Sequence, residues 1–231
     1  MHIDPWTMWF VGMFGLLIPY TVVASSIRRR KMNPAFLPAR WKIVLQILIM
    51  QSFFAGAAFL AARQSGIDLL ASGKLSGKSL ALAVGTVAAM LIILPLRWRG
   101  YPQERKRRIL QTRPQQPRDL TWWFAVSLAA GTAEELAYRG VLFVMLSRLT
   151  GSWWSAALLT ALAFGLGHAN QGWASGTLIG AFSIALQVLV LLTGSLFAAM
   201  AVHFVYDFLA GIVYLKLARD FQQAGAQAQS A

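Results

Sequence analysis

The chain has 231 residues, of which 57% are apolar and only 13% charged, with no cysteine and a formal net charge of +13. A soluble domain carries nearer a quarter charged residues, so the composition describes a polytopic membrane protein. The missing cysteine excludes disulfides, thiolate nucleophiles, iron–sulfur clusters and cysteine-rich zinc sites; the basic excess lies in loops beside apolar spans and not in an aromatic-interleaved basic domain, which argues against nucleic acid.

Seven apolar spans are expected, in an all-α transmembrane helical bundle. The first runs from about Trp6 to Ala24 and is followed by Arg28, Arg29, Arg30 and Lys31. A signal peptide has its positive charge before a shorter apolar run, so this reads as a retained helix with its N-terminus outside. The second span is about Trp41 to Ala62 and the third Ser79 to Leu96. The longest polar segment, Arg97 to Asp119, carries Arg105, Lys106, Arg107 and Arg108 and reads as a solvated, topology-setting loop. The fourth span, about Trp122 to Leu146, has Asp119 or Thr121 as its expected cap and Trp122 and Trp123 at the level of an interfacial aromatic belt. The fifth is about Trp153 to His168, the sixth Gly176 to Thr193 and the seventh Ser195 to about Leu215, with a Gln- and Ala-rich tail that is expected to fray. Three regions follow: N-terminal helices and the basic loop over 1–120, a core bearing the ionisable residues over 121–216, and a polar tail over 217–231.

Charge asymmetry orients the bundle. Sixteen of the 21 Lys and Arg residues fall in the loops after spans one and three and in the tail, four fall on the other side, and Arg139 lies within a span. This is the positive-inside pattern for an outside N-terminus and a cytoplasmic C-terminus.

The fourth span contains GTAEELAYRG, which puts Glu134, Glu135 and Arg139 among apolar residues. An ionisable side chain at the bilayer centre costs about 2.5 to 3.5 kcal/mol on insertion scales, which makes each one a functional-site hypothesis. Glu135 and Arg139 are i and i+4 and can pair on one helix face. Glu134 points roughly 100° away, leaving it free for chemistry. Two of the three histidines are also in spans: His168 in FGLGH, with Phe164 one turn earlier, and His203 in HFVYD, with Asp207 one turn later. Gly165 and Gly167 would let another helix come close.

One buried histidine alone is more often a packed hydrogen-bonder than a catalyst. Glu and His on three spans are costly unless they converge on a shared aqueous cavity. There a carboxylate and an imidazole can activate a water, and a second imidazole can donate to an oxyanion, which is a hydrolase without a covalent nucleophile. Zinc held by His168, His203, Asp207 and Glu134 is the rival reading, although there is no HExxH. An aspartyl-protease pair and a GxSxG nucleophile are both missing.

The motifs EELAYR (EExxxR), FGLGH (FxxxH) and HFVYD (Hxxx followed by Asn or Asp), in this order on successive spans, resemble the CAAX prenyl protease and bacteriocin-processing (CPBP, Abi) family of intramembrane endopeptidases. The resemblance implies that Glu134 with His168 activates the attacking water, that Glu135 is held by Arg139, and that His203 and residue 207 stabilise the oxyanion. It implies no cofactor and no metal, a peptide or protein substrate at a lipid surface, and a bacterial cell membrane. Asp207 stands where the eukaryotic prenyl proteases have Asn; an ionised Asp would repel an oxyanion, so Asp207 is protonated or supports His203. The alternative of another class is a non-proteolytic scaffold or bacteriocin-immunity protein of the same fold, holding a membrane-protein partner. A proton-coupled transporter would require repeat symmetry that the chain lacks. The cavity is expected to open on the cytoplasmic side past His168, rimmed by the basic loop.

Overall fold

The structure is a computed structural model that describes residues 4–30 and 39–230. Lys31, counted above in the first basic cluster, lies outside the described residues. The described residues form helices and connections, with no strand: α1 (Pro5–Phe10), a π-helical turn (Val11–Leu17), α2 (Ile18–Arg30), α3 (Arg40–Gln64), α4 (Gly77–Arg99), α5 (Gln103–Leu110), α6 (Asp119–Glu135), a second π-helical segment (Leu136–Leu142), α7 (Phe143–Thr150), α8 (Trp153–Leu166), a short 3-10 turn (Ala169–Gln171), α9 (Trp173–Thr193) and α10 (Leu196–Ser230).

Local sequence accounts for several boundaries. Ser76 caps α4 in a reciprocal box with Ser79, and Ser152 accepts from the Ser155 amide at the start of α8. Helices α7 and α9 stop at Gly151 and Gly194, both left-handed, the conformation that costs glycine least.

Among the described residues, five helical stretches are long and apolar enough to cross a membrane: Pro5–Arg28, Arg40–Gln64, Gly77–Arg99, Trp173–Thr193 and Leu196–Ala224. The other two expected spans are built differently. Residues 119–150 form one helical run, but π geometry over Leu136–Leu142 divides it into α6 of 17 residues and α7 of 8. Helix α8 has only 14 residues, about 21 Å at 1.5 Å per residue, short of a hydrocarbon core of about 30 Å. It ends at Leu166, two residues before His168. The tail also departs from expectation: α10 continues through it to Ser230.

Large apolar side chains face outward along these helices, including Leu80, Val84 and Ile92 on α4 and Leu158 and Leu162 on α8. An outside this apolar suits lipid. Inward, Phe10, Phe14, Phe54, Tyr138 and Phe164 form one cluster with small residues of α3. Met90, Phe182, Leu186, Leu189, Ala199 and Val202 form a second between α4, α9 and α10.

Helix α6 packs between α3 and α10. A Cβ on Gly131 would stand 2.8 Å from the backbone nitrogen of Phe204, so only glycine permits that approach of α6 to α10. Gly165 does the same for α8 and α9, where a Cβ would come 2.7 Å from the carbonyl of Gly176. Both crossings lie beside the ionisable residues.

Ion pairs and caps fasten the ends of the bundle. Arg40 at the start of α3 pairs with Asp119 at the start of α6 at 2.8 Å. Arg148 in α7 donates to the carbonyl of Ser65, just past the end of α3, also at 2.8 Å. Asp119 is not the cap itself. It occupies the first helical position and accepts from the amides of Gln115 and Gln116 in the preceding turn. Burial pushes the Asp119 carboxyl up, but these amides, Trp122 and Arg40 outweigh it and hold the group below the ordinary 3.8. Trp123, expected in an interfacial belt, points inward and is 3% exposed.

Candidate active site

The ionisable residues of three separate motifs meet in one place, in two linked pairs. The first pair is Glu134 and His168. Glu134 sits in the last turn of α6, 7% exposed, and its Oε2 faces His168 Nε2 at 3.9 Å. That is too long for a direct hydrogen bond. His168 follows the end of α8, where Nδ1 lies 2.8 Å from the backbone carbonyl of Phe164. A carbonyl only accepts, so Nδ1 carries the proton in this contact and Nε2 is the nitrogen presented to Glu134. The Phe164 ring packs against the imidazole at 4.6 Å between centroids and holds its plane.

The second pair is Glu135 and His203. Glu135 is completely buried, and its Oε1 accepts from His203 Nδ1 at 2.8 Å. The same oxygen lies 3.0 Å from Arg139 Nη1. The i, i+4 pairing expected from sequence is therefore present as an ion pair. It lacks the alignment of a hydrogen bond, and the guanidinium nitrogens of Arg139 have no such partner. The guanidinium lies instead over the Phe164 ring, 4.3 Å from its centroid, so Phe164 touches both His168 and the buried cation. His203 Nε2 points toward Asp207 Oδ2 at 3.7 Å, again beyond hydrogen-bond reach.

Exposure separates the members. The side chains of His168 and Asp207 are 22% and 28% exposed, whereas Glu135 and Arg139 are fully enclosed. The accessible edge thus lies at His168 and Asp207. It is on the end of the bundle where Arg105 donates to the carbonyl of Gln171 at 3.2 Å. The basic segment stands at that end.

All of the singled-out residues, Glu134, Glu135, Arg139, Phe164, His168, His203 and Asp207, take part in this arrangement. Two contacts were not foreseen. Gln51 of α3 donates its amide to Glu134 Oε1 at 2.6 Å, and the indole of Trp123 donates to the backbone carbonyl of Asp207 at 2.9 Å. No group of three or more His, Asp or Glu among the described residues is placed to hold a metal ion.

The comparison with known families falls on the same segment. Residues 116–209 match the family model described as Rce1-like, type II CAAX prenyl endopeptidase. Over this stretch the chain is similar to the Rce1-like family. The match covers every motif residue from Glu134 to Asp207 and leaves α1 to α5 outside. No curated protein and no solved structure matches the chain. Among the described residues the five long apolar helices describe an integral membrane protein, and residues 116–209 within it are similar to CAAX-type prenyl endopeptidases.

Proposed function

We propose that the protein is an intramembrane endopeptidase of glutamate type, in which Glu134 and His168 activate the water that attacks a peptide bond. The observation that carries this is the 3.9 Å separation of Glu134 Oε2 and His168 Nε2, two acceptors facing each other. One water donating to both suits that distance. Glu134 takes its proton as the oxygen adds to the carbonyl carbon, and the proton then passes to the leaving amine nitrogen as the C–N bond breaks.

The charge that develops on the carbonyl oxygen needs a donor. His203 is held at Nδ1 by Glu135, so its Nε2, when protonated, is free to donate to the oxyanion. Asp207 leaves that nitrogen unclaimed at 3.7 Å. Its protonated form is compatible with an adjacent oxyanion and adds a second donor, and its carbonyl contact with Trp123 keeps this turn of α10 in place. Glu135 and Arg139 form the enclosed support behind the two histidines.

In the membrane we read seven crossings, counting the run 119–150 and the short α8 with the five longer stretches. The N-terminus is outside, the C-terminus is cytoplasmic, and the host is a bacterial cell membrane. The support is the basic asymmetry, together with the contacts that gather residues 40, 105, 119 and 171 at one end and 65 and 148 at the other. Substrate then enters past His168 from the cytoplasmic face.

The test uses purified protein in liposomes with a farnesylated CAAX peptide and its unprenylated counterpart, reading release of the C-terminal fragment. Glu134→Gln and His168→Ala should each lose on the order of 100-fold or more in rate while inserting normally. A fully active Glu134→Gln protein would sink the assignment. Cleavage of neither peptide by the wild-type protein would favour a scaffold of the same fold.

A further inference from the structure

We propose that Gln51 is the positioning residue for Glu134, so that the reacting site includes a helix lying outside the segment matched to the family. The inference rests on the reading of Glu134 as the general base.

Helix α3 buries six residues, Gln51, Phe54, Ala57, Ala58, Ala61 and Ala62, and Gln51 alone among them is polar. It is 3% exposed. An apolar residue would satisfy packing there; an amide taken out of water costs free energy unless it is paired. Its Nε2 is paired with Glu134 Oε1 at 2.6 Å. Glu134 has two oxygens, and pinning Oε1 from α3 leaves Oε2 directed at His168. Without this donor the carboxylate turns freely about its last torsion, a soft and roughly two-fold one.

The rest of α3 is arranged to keep that contact in register. Arg40 at its first residue is tied to Asp119, and Ser65 just beyond its last is tied to Arg148. Both partners belong to the run 119–150 that carries Glu134. The two helical runs are thus joined at each end, with the Gln51–Glu134 bond between. The titratable groups that act electrostatically on Glu134 are His168 just past the end of α8, His203 and Asp207 on α10, and Tyr138 on its own run.

Two substitutions test the role. Gln51→Met keeps the length and removes the donor. It should lower kcat on the order of 100-fold with KM and thermal midpoint close to wild type, the pattern of a displaced base rather than a loosened bundle. Gln51→Glu can donate the same bond only when protonated, so its kcat should rise toward wild type as pH falls while Gln51→Met stays low throughout. A Gln51→Met protein with wild-type kcat overturns the proposal. So does a Gln51→Glu protein that is folded yet equally depressed at every pH. Glu134→Gln run in parallel separates the two claims: if it is inactive while Gln51→Met is fully active, only the positioning role fails; if it is fully active, the base assignment itself is wrong.

Discussion

Trp123 on α6 donates its indole N–H to the backbone carbonyl of Asp207 on α10 at 2.9 Å, and Gly211 one turn further lies against the same ring. The bond takes a helix carbonyl as its acceptor, so it sets the axial position of α10 against α6. His203 and Asp207 are thereby placed opposite the two glutamates. Trp123→Phe should cost about 1 kcal/mol through the lost bond. Gly211→Ala drives a methyl into the indole and should cost about 1 to 3 kcal/mol, the usual penalty of overpacking. Thermal midpoints in detergent check both, with Gly211→Ala expected to be the worse.

Glu135 and Arg139 are both enclosed, so removing either leaves an uncompensated buried charge. Each single replacement, Glu135→Gln or Arg139→Met, should cost about 3 to 5 kcal/mol. The double replacement should cost less than the sum. Activity separates them further: Glu135 also holds His203, so the double variant should recover stability without recovering rate. A stability cycle that comes out additive would mean that the two side chains do not act as a pair.

Asp119 supplies the acid-side pH dependence. Its carboxyl is held below the ordinary value in the folded protein, so the unfolded state binds the proton more readily and the stabilisation is present in full above the unfolded value near 3.8. It is lost as pH falls through the lower folded value. Asp119→Asn should therefore be less stable than wild type at neutral pH, and the difference should close as the solution is acidified below that range. Midpoints measured from pH 7 down to pH 3 give the comparison. A constant difference would show that ionisation of Asp119 is not what ties α6 to α3.

Proteolysis should persist after exhaustive chelation, because the proposed chemistry assigns activation of water to Glu134 and His168. The check is peptide cleavage after EDTA and phenanthroline treatment. Loss of activity that is restored by one equivalent of zinc would move His168, His203 and Asp207 from proton chemistry to metal ligation.

The residues that cluster at the candidate site were legible because they are chemically conspicuous. A glutamate or histidine in an apolar span stands out, and helical spacing relates Glu135 to Arg139 and His203 to Asp207. The bonds between spans left no such mark. Gln51 is a single amide in an apolar helix, and nothing within α3 says that it meets Glu134. The Glu135–His203 bond joins residues 68 positions apart. Trp123 was misplaced because an aromatic pair at the start of a span fits an interfacial belt and an inward hydrogen bond equally well. The shortness of α8 was hidden by FGLGH, whose apolar character continues after the helix itself has ended at Leu166.

The π-helical stretch Leu136–Leu142 has a consequence for tolerance to deletion. Its wider turn holds more residues than an α-helix of the same length, so the loss of one residue there can be absorbed by tightening into α geometry, without breaking the rod. Everything on one side of the cut would then swivel relative to the other. Glu134 and Glu135 precede the stretch, while Arg139 lies inside it and Arg148 after it. A deletion of one residue between Arg139 and Phe143 would keep the glutamates and their cation together but turn α7 away from its anchor at Ser65. A deletion between Glu135 and Arg139 would bring the ions to i, i+3, a spacing that still shares one helix face. The ion pair therefore survives either cut, and the anchor of α7 at Ser65 is what such a deletion puts at risk.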